Sequence, residues 1–117
     1  MTLYQEIILD HFRNPKNKRK LSNPSKKATV INSLCGDKIV MEVEYKKNRV
    51  ENIGFKGEGC AISQALTSIL TEYAKGKTKE QLKKIDKDFM IKLLGIDLGP
   101  NRLKCALLPL EALRKLI

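Results

Sequence analysis

The residues that could carry chemistry in this sequence are three cysteines and one aspartate. Cys35 stands two residues before Asp37, and the other thiols, Cys60 and Cys105, follow 25 and 70 residues after Cys35. Thiolate sulfur and carboxylate oxygen are both ligands for zinc and for iron. Zinc fingers bring their cysteines closer together in sequence, so the spacing alone is weak evidence. A shared site would have to be assembled by the fold.

The local contexts of the cysteines favour the thiolate form. The pattern places Cys60 at the start of a helix and Cys105 near the first turn of another, directly after Lys104. A helix N-terminus and a neighbouring cation both favour thiolate over thiol, and the thiolate binds metal or attacks sulfur. Cys35 stands beside Gly36, on a loop that an incoming thiol could reach.

Each of these side chains also has a purely structural interpretation. Cysteine is among the most buried residue types and packs as a small hydrophobe, and Asp37 is well placed to form a turn. Taken singly, each residue is adequately explained in this way. Three thiols at junctions between elements, together with one carboxylate, favour a common site. Gly57 and Gly59 would also allow a close backbone approach just before Cys60.

The composition is typical of a small folded domain. The chain has 117 residues, of which 42% are hydrophobic and 31% charged, and we expect one domain over residues 1–117 with one hydrophobic core. Neither a signal peptide nor an apolar run of about 20 residues is apparent. We therefore expect a cytoplasmic protein that does not enter the membrane. In that compartment cysteines are more often metal ligands or reactive thiols than disulfide partners.

The formal net charge of +10 invites a nucleic-acid interpretation, with one basic cluster from Lys16 to Lys20. Such a surface attracts phosphates through counterion release. Aromatic residues, however, make up only 5% of the chain, and none alternates with the basic runs as a base-stacking platform requires. We therefore do not expect nucleic acid as a partner. The charge could equally guide the docking of an acidic protein.

Apolar periodicity predicts one helix, then a sheet. The stretch 3–13 is amphipathic and includes His11, the only histidine, whose position favours packing or surface capping over metal ligation. A basic loop follows to about residue 27, before an antiparallel three-stranded meander with a turn at 46–48. The predicted strands cover residues 28–34, 38–45 and 50–57. The stretch 35–37 then falls in the tight connection between the first two strands.

From Cys60 onwards the periodicity becomes helical. An apolar stripe about 100° wide predicts that this helix, which ends at Gly76, packs through one face. Later helices are predicted at residues 78–85, 86–95 and 101–117. A turn at 97–100 precedes the last of them, and Pro109 predicts a kink or a late start there. The prediction is an α+β fold, in which a three-stranded antiparallel sheet packs against an N-terminal helix and a set of C-terminal helices.

Four segments resemble the U-type iron–sulfur cluster assembly scaffolds, the IscU, SufU and NifU N-terminal family. The segments are LYQEIILDHFRNPKN (3–17), CGD (35–37), GCAISQAL (59–66) and KCALLPLEAL (104–113). They follow the family's order over nearly the whole chain. The resemblance implies a SufE/IscU-like fold and a solvent-facing site. Its ligands for a metal or cluster would be Cys35, Asp37, Cys60 and Cys105.

The family's chemistry supplies further expectations. In this family a cysteine desulfurase delivers persulfide sulfur, iron joins it, and a transient [2Fe–2S] cluster is assembled and passed to acceptor proteins. The site commonly holds Zn²⁺ when no cluster is present. For this chain the resemblance implies a non-catalytic scaffold, with Cys35 and Cys105 as the sulfur-acceptor candidates. The alternative is a zinc-dependent, SufU-like sulfur acceptor that stimulates the desulfurase.

The sequence departs from the family's branches in four respects. Lys104 replaces the histidine that precedes the last cysteine in the IscU branch, and this resembles the SufU branch. The chain nevertheless has no room for the extra segment that SufU proteins usually carry between the second and third cysteines. The Hsp70-binding motif corresponds to LGPNR (98–102), where only Leu98 and Pro100 match, so the resemblance does not extend to a dedicated Hsp70 chaperone. The basic tract from Lys16 to Lys20 replaces a glycine-containing loop.

Overall fold

A computed structural model describes residues 3–33, 36–95 and 99–117, apart from the side chain of Asn101. The predicted ligand Cys35 and the first two residues of the predicted turn at 97–100 lie outside the described residues. The elements in chain order are α1 (Leu3–Arg13), β1 (Lys26–Asn32), β2 (Asp37–Lys46), β3 (Arg49–Glu58), α2 (Ala61–Ala74), α3 (Lys79–Lys83), α4 (Lys87–Leu94) and α5 (Pro100–Arg114). This order confirms the predicted α+β architecture.

The three strands form one antiparallel sheet in the order β1-β2-β3. The β2–β3 hairpin turns through Lys47 and Asn48, whose φ values of 52° and 66° are both in the left-handed region. Two such residues match the twist of the flanking strands, and the predicted turn is confirmed.

The first hairpin differs from the prediction at its turn. β1 ends at Asn32, two residues earlier than predicted, and β2 already begins at Asp37. Asn32 and Asp37 are partners in the β1–β2 register. Asp37 is therefore fixed in the ladder rather than placed in the connection between the strands.

One face of the sheet packs against helices and forms the centre of the core. α2 and α5 both contact the strands, and α5 also packs on β1. The buried residues on this face include Ala28, Val30, Ile39, Met41, Val43 and Ile53. This side of the sheet is also the side on which the candidate site is assembled.

Helix α2 is buried more completely than its apolar stripe predicted. Ser63, Thr67, Ser68 and Thr71 are all fully buried although they are polar. They lie on a helix that packs against the sheet, α1 and α5. The predicted packing of the apolar stripe is confirmed, and the polar face is buried as well because it has partners of its own.

Those partners come from α1 and from the connecting segment, which we define as residues 14–21. The Ser68 hydroxyl oxygen lies 2.8 Å from Nδ1 of His11 and accepts from the backbone N–H of Lys16 at 2.7 Å. Asn17 donates its side-chain amide to the Thr71 hydroxyl at 3.2 Å. The connecting segment also runs beside β3, where the Phe55 N–H donates to the Asn17 carbonyl at 2.9 Å. His11 thus has the packing role that the sequence indicated.

The last helices follow the predicted start and stop signals. α3 begins with a capping box between Thr78 and Gln81, and α4 ends at Gly95, whose φ is 69°. α5 starts at Pro100 and continues through Pro109 to Arg114. Of the kink or late start predicted at Pro109, the late start does not occur, because Pro100 supplies a favourable first residue. None of the described helices has the length and apolar character needed to cross a membrane.

Candidate metal centre

The structure brings three of the four predicted ligands to one place. Asp37, Cys60 and Cys105 each offer one ligand atom, and these atoms all lie within 4.8 Å of one another. Asp37 begins β2, Cys60 immediately precedes α2, and Cys105 lies in the second turn of α5. The fourth predicted ligand, Cys35, is outside the described residues.

The Asp37 carboxylate is fully buried and already engaged on one side. Its Oδ1 accepts the backbone N–H of Cys60 at 2.7 Å, while Oδ2 lies 3.7 Å from the Cys60 sulfur. A buried carboxylate requires such partners because burial removes its hydration. One oxygen therefore fixes the orientation of the group, and the other is available as a single ligand atom.

Gly59 makes this arrangement possible. A Cβ at position 59 would collide with Oδ1 of Asp37 and would lie only 2.8 Å from the Asp37 Cα. The φ of Gly59 is +133°, which other residues rarely adopt. The sequence predicted a close backbone approach just before Cys60. In the structure this approach is between Gly59 and Asp37, and it allows the Cys60 N–H to donate to the Asp37 carboxylate.

Cys60 is the N-cap residue of α2, as predicted. Its sulfur accepts the backbone N–H of Ser63 at 3.5 Å, and the Ser63 hydroxyl donates to the Cys60 carbonyl at 3.2 Å. The positive end of the helix dipole lies at this sulfur and favours a negative charge there. Cys60 is partly exposed, whereas Asp37 is fully buried.

Cys105 has a different environment. It is only 2% exposed, and its sulfur lies 3.9 Å from the side-chain amide nitrogen of Asn32. The resemblance implied a solvent-facing site, which is wrong for Cys105 and for Asp37. Both are covered because α5 packs directly against β1 and β2.

The two neighbouring residues singled out in the sequence remain at the surface. Gly36 has a φ of +68° in the turn before β2, with open space where a side chain would be. Lys104 is exposed and lines a surface cavity of about 300 Å³ together with Asn32 and Leu107. His11 is not among the described residues that could share a metal ion.

Sequence reasoning missed two residues that contact the candidate ligands, Asn32 and Ser63. Ser63 could have been found as the third residue after a cap, whose N–H a capping side chain accepts. Asn32 could have been found by extending the inward alternation of β1 from Ala28 and Val30 by two residues.

The donor set fits zinc or iron. Both metals take thiolate and carboxylate ligands in four-coordinate sites. Asp37, Cys60 and Cys105 would supply three such ligands from three separate segments, and Cys35 is the sequence's candidate for the fourth. Their convergence is the geometry that the sequence analysis required of the fold.

Comparison with known proteins gives a consistent result. The model of the NifU-like N terminal domain matches residues 3–117. "Iron-sulfur cluster assembly scaffold protein IscU 1" of Archaeoglobus fulgidus is 39% identical over 115 residues, covering 98% of this chain and 74% of its own length. "Zinc-dependent sulfurtransferase SufU" of Bacillus subtilis is 38% identical over 131 residues, covering 97% of this chain and 88% of its own length.

The fold is shared with solved structures. A putative iron–sulfur cluster assembly scaffold protein for the SUF system from Fervidobacterium islandicum AW-1 superposes with a TM-score of 0.81 at 29% identity. The match covers 94% of this chain and 93% of the other. The family model, the relatives and this fold agree with the sequence motifs, and the chain belongs to the family of NifU-like N-terminal domains, the U-type iron–sulfur cluster assembly scaffolds.

Proposed function

We propose that this protein is a non-catalytic scaffold on which a transient [2Fe–2S] cluster is assembled from persulfide sulfur and iron and then passed to acceptor proteins. The observation that carries the proposal is the convergence of Asp37, Cys60 and Cys105, whose ligand atoms lie within 4.8 Å of one another. Membership of the scaffold family supports it. The expected partners are a cysteine desulfurase and the proteins that receive the cluster.

The ligands have distinct parts in this function. Cys60 and Cys105 would supply thiolate sulfur, and Asp37 would supply one carboxylate oxygen. Oxygen is a harder ligand than sulfur and a weaker partner for cluster iron. Because its other oxygen is held by the Cys60 N–H at 2.7 Å, Asp37 would bind through one atom only. We expect this position to be the one at which the cargo is released.

The sulfur-accepting step needs an accessible thiolate. The thiolate attacks the outer sulfur of the desulfurase persulfide, a new S–S bond forms on this chain, and the inner sulfur leaves as the desulfurase thiolate. Cys105 is only 2% exposed, which favours Cys35 of the two candidates. Mass spectrometry after incubation with the desulfurase and cysteine should find the adduct on Cys35. An adduct confined to Cys60 would exclude both candidates.

Anaerobic reconstitution with iron, sulfide and thiol tests the proposal. The wild-type protein should give the visible absorption of a [2Fe–2S] cluster and should transfer the cluster to an apo-ferredoxin. Cys60→Ser is the matched variant, since serine retains the helix cap but not the thiolate, and it should give little cluster. Failure of the wild type to form any cluster would contradict the scaffold function.

The alternative, a zinc-dependent sulfur acceptor, uses the same residues. Lys104 in place of histidine and the 38% identity to SufU favour it, while the 39% identity to IscU favours the scaffold. In this form Zn²⁺, when bound, would hold the three segments together and keep the thiols deprotonated. Zinc that iron does not displace, together with strong stimulation of the desulfurase, would establish the alternative.

A further inference from the structure

Asn32 occupies a position that hydrophobic patterning does not explain. β1 directs Ala28 and Val30 into the core, and the next residue in this phase is Asn32. The apolar neighbour Ile31 instead lies on the other face and is 65% exposed. A shift of the β1–β2 register by one residue would turn Ile31 towards the helices and Asn32 towards the opposite face of the sheet. The observed register keeps a polar, half-buried side chain on the helix-facing side, where it makes a polar contact.

That contact is with the candidate site. The Asn32 amide nitrogen lies 3.9 Å from the sulfur of Cys105. Asn32 is also the cross-strand partner of Asp37, so the two side chains share one face of the sheet. This single pair of residues therefore reaches both described thiols: Asp37 contacts Cys60, and Asn32 contacts Cys105.

The chemistry of the amide suits a buried sulfur. Cys105 is 2% exposed, so little water can solvate a thiolate there, and a nearby N–H donor replaces part of that solvation. An amide is neutral, and its N–H group cannot act as a ligand, so it does not compete with the thiolates. Contacts of this kind also fix the direction in which a ligand atom points.

We propose that Asn32 is a positioning residue for Cys105: its side-chain amide donates to the sulfur and holds it towards Asp37 and Cys60. As a statement about metal or cluster binding this rests on the proposed function. Loss of a group that orients a ligand typically weakens metal binding by about 10–100-fold, and we expect a loss in that range here.

The test compares Asn32→Leu with Asn52→Leu. Leucine approximates the size of asparagine but lacks the N–H donor. Asn52 is the matched control, because it lies on the same sheet and donates its amide to Glu44 at 2.8 Å. The measurements are competition of Zn²⁺ and Co²⁺ with a chelator, and the sulfur-to-cobalt charge-transfer absorption. Circular dichroism verifies that each variant is folded.

Asn32→Leu should bind Zn²⁺ about 10–100-fold more weakly than wild type and should show an altered charge-transfer band. Asn52→Leu should leave both unchanged. Wild-type affinity and an unchanged band in a folded Asn32 variant would overturn the inference.

A second measurement separates this inference from the proposed function. If the wild-type protein binds neither Zn²⁺ nor Co²⁺, the proposed function fails, and the role of Asn32 is then decided in the metal-free protein. Iodoacetamide labelling, quantified by mass spectrometry, gives the ratio of Cys105 to Cys60 modification within one molecule. Asn32→Leu should change this ratio several-fold because the sulfur loses the amide that holds it in place. An unchanged ratio would overturn the positioning role.

Discussion

Cys60 and Cys105 offer the same atom to the candidate centre but are held by different kinds of contact. Cys60 precedes a helix, is partly exposed and accepts the backbone N–H of Ser63, while its own N–H binds Asp37. Cys105 lies within a helix, is 2% exposed and contacts a side chain, that of Asn32. The position of the first sulfur thus comes from the backbone, and that of the second depends on packing and one amide.

The site therefore has two halves, one formed by Cys60 with Asp37 and Gly59 and the other by Cys105 with Asn32. The difference between their contacts predicts how each half responds to substitution. Backbone donors at a helix start remain when a side chain is replaced by another capping residue. The buried sulfur of Cys105 has a side-chain partner, and replacing either residue leaves a cavity or an unpaired polar group. We therefore expect the folding stability of the Cys60 half to depend mainly on backbone contacts, and that of the Cys105 half mainly on side-chain contacts.

The largest effect on zinc affinity is expected from substitution of Asp37. This residue belongs to the Cys60 half, and its carboxylate accepts the backbone N–H of Cys60. Asp37→Ala removes a ligand and leaves the buried N–H of Cys60 unpaired, at a cost of about 1–3 kcal/mol in unfolding free energy. Zinc affinity should fall by more than the roughly 100-fold expected for an outer contact. Asp37→Asn keeps an oxygen for the N–H and should lose affinity with a smaller loss of stability. If Asp37→Ala and Asp37→Asn lose the same unfolding free energy in urea denaturation, the ligand role and the hydrogen bond to Cys60 are not separable in this way.

Gly59 tests the backbone requirement directly. Gly59→Ala should destabilise the protein because the new Cβ would collide with the Asp37 carboxylate. Gly76→Ala is the control, since Gly76 also has a positive φ, of 83°, but open space around it. Both share the cost of a left-handed residue, about 1–2 kcal/mol, and Gly59→Ala should cost about 1–3 kcal/mol more. Chemical denaturation of both variants measures this difference in unfolding free energy. Equal denaturation midpoints for the two variants would exclude the collision.

Serine substitutions compare the two thiols themselves in the metal-free protein. Cys60→Ser should change the unfolding free energy by no more than about 0.5 kcal/mol, because serine is a preferred helix cap. Cys105→Ser places a hydroxyl in a buried position and should cost about 1–3 kcal/mol. Urea denaturation in the presence of a chelator measures both values. A cost for Cys60→Ser as large as that for Cys105→Ser would remove the distinction between the two halves.

The smallest effect is expected at Lys104. This residue is exposed, so solvent and salt screen its charge from the neighbouring Cys105. Lys104→Gln should change zinc affinity by less than about threefold, well below the effect of Asn32→Leu. Chelator competition at two salt concentrations measures the difference. A tenfold loss that disappears at high salt would show that the cation, rather than the amide, stabilises the Cys105 sulfur.

The features that local chemistry determines could be predicted from the sequence. The β2–β3 turn followed from an asparagine between two alternating runs, and the start of α2 at Cys60 followed from the change of period. The convergence of remote thiols was predicted from their placement at junctions and from the family motifs. The structure places Asp37, Cys60 and Cys105 together as expected.

The features that depend on tertiary partners could not. The apolar stripe of α2 did not indicate that Ser68 and Thr71 would also be buried, and they are buried because His11, Lys16 and Asn17 bind them. Conversely, α1 leaves much of its apolar stripe uncovered, including Leu3 and Tyr4. Periodicity identifies a helix but does not say which of its faces finds a partner.

The basic tract of the N-terminal region, which the sequence left without a role, covers part of the outer edge of β3. An outer strand with unpaired amides is a template on which another chain can add and start aggregation. On β3 the Phe55 N–H is bound by Asn17, and the Val50 N–H by the Lys77 carbonyl at 2.9 Å. The lysines around Asn17 add charge repulsion against an approaching strand. Near Asn17 the outer edge of β3 is thereby less accessible to strands of neighbouring molecules.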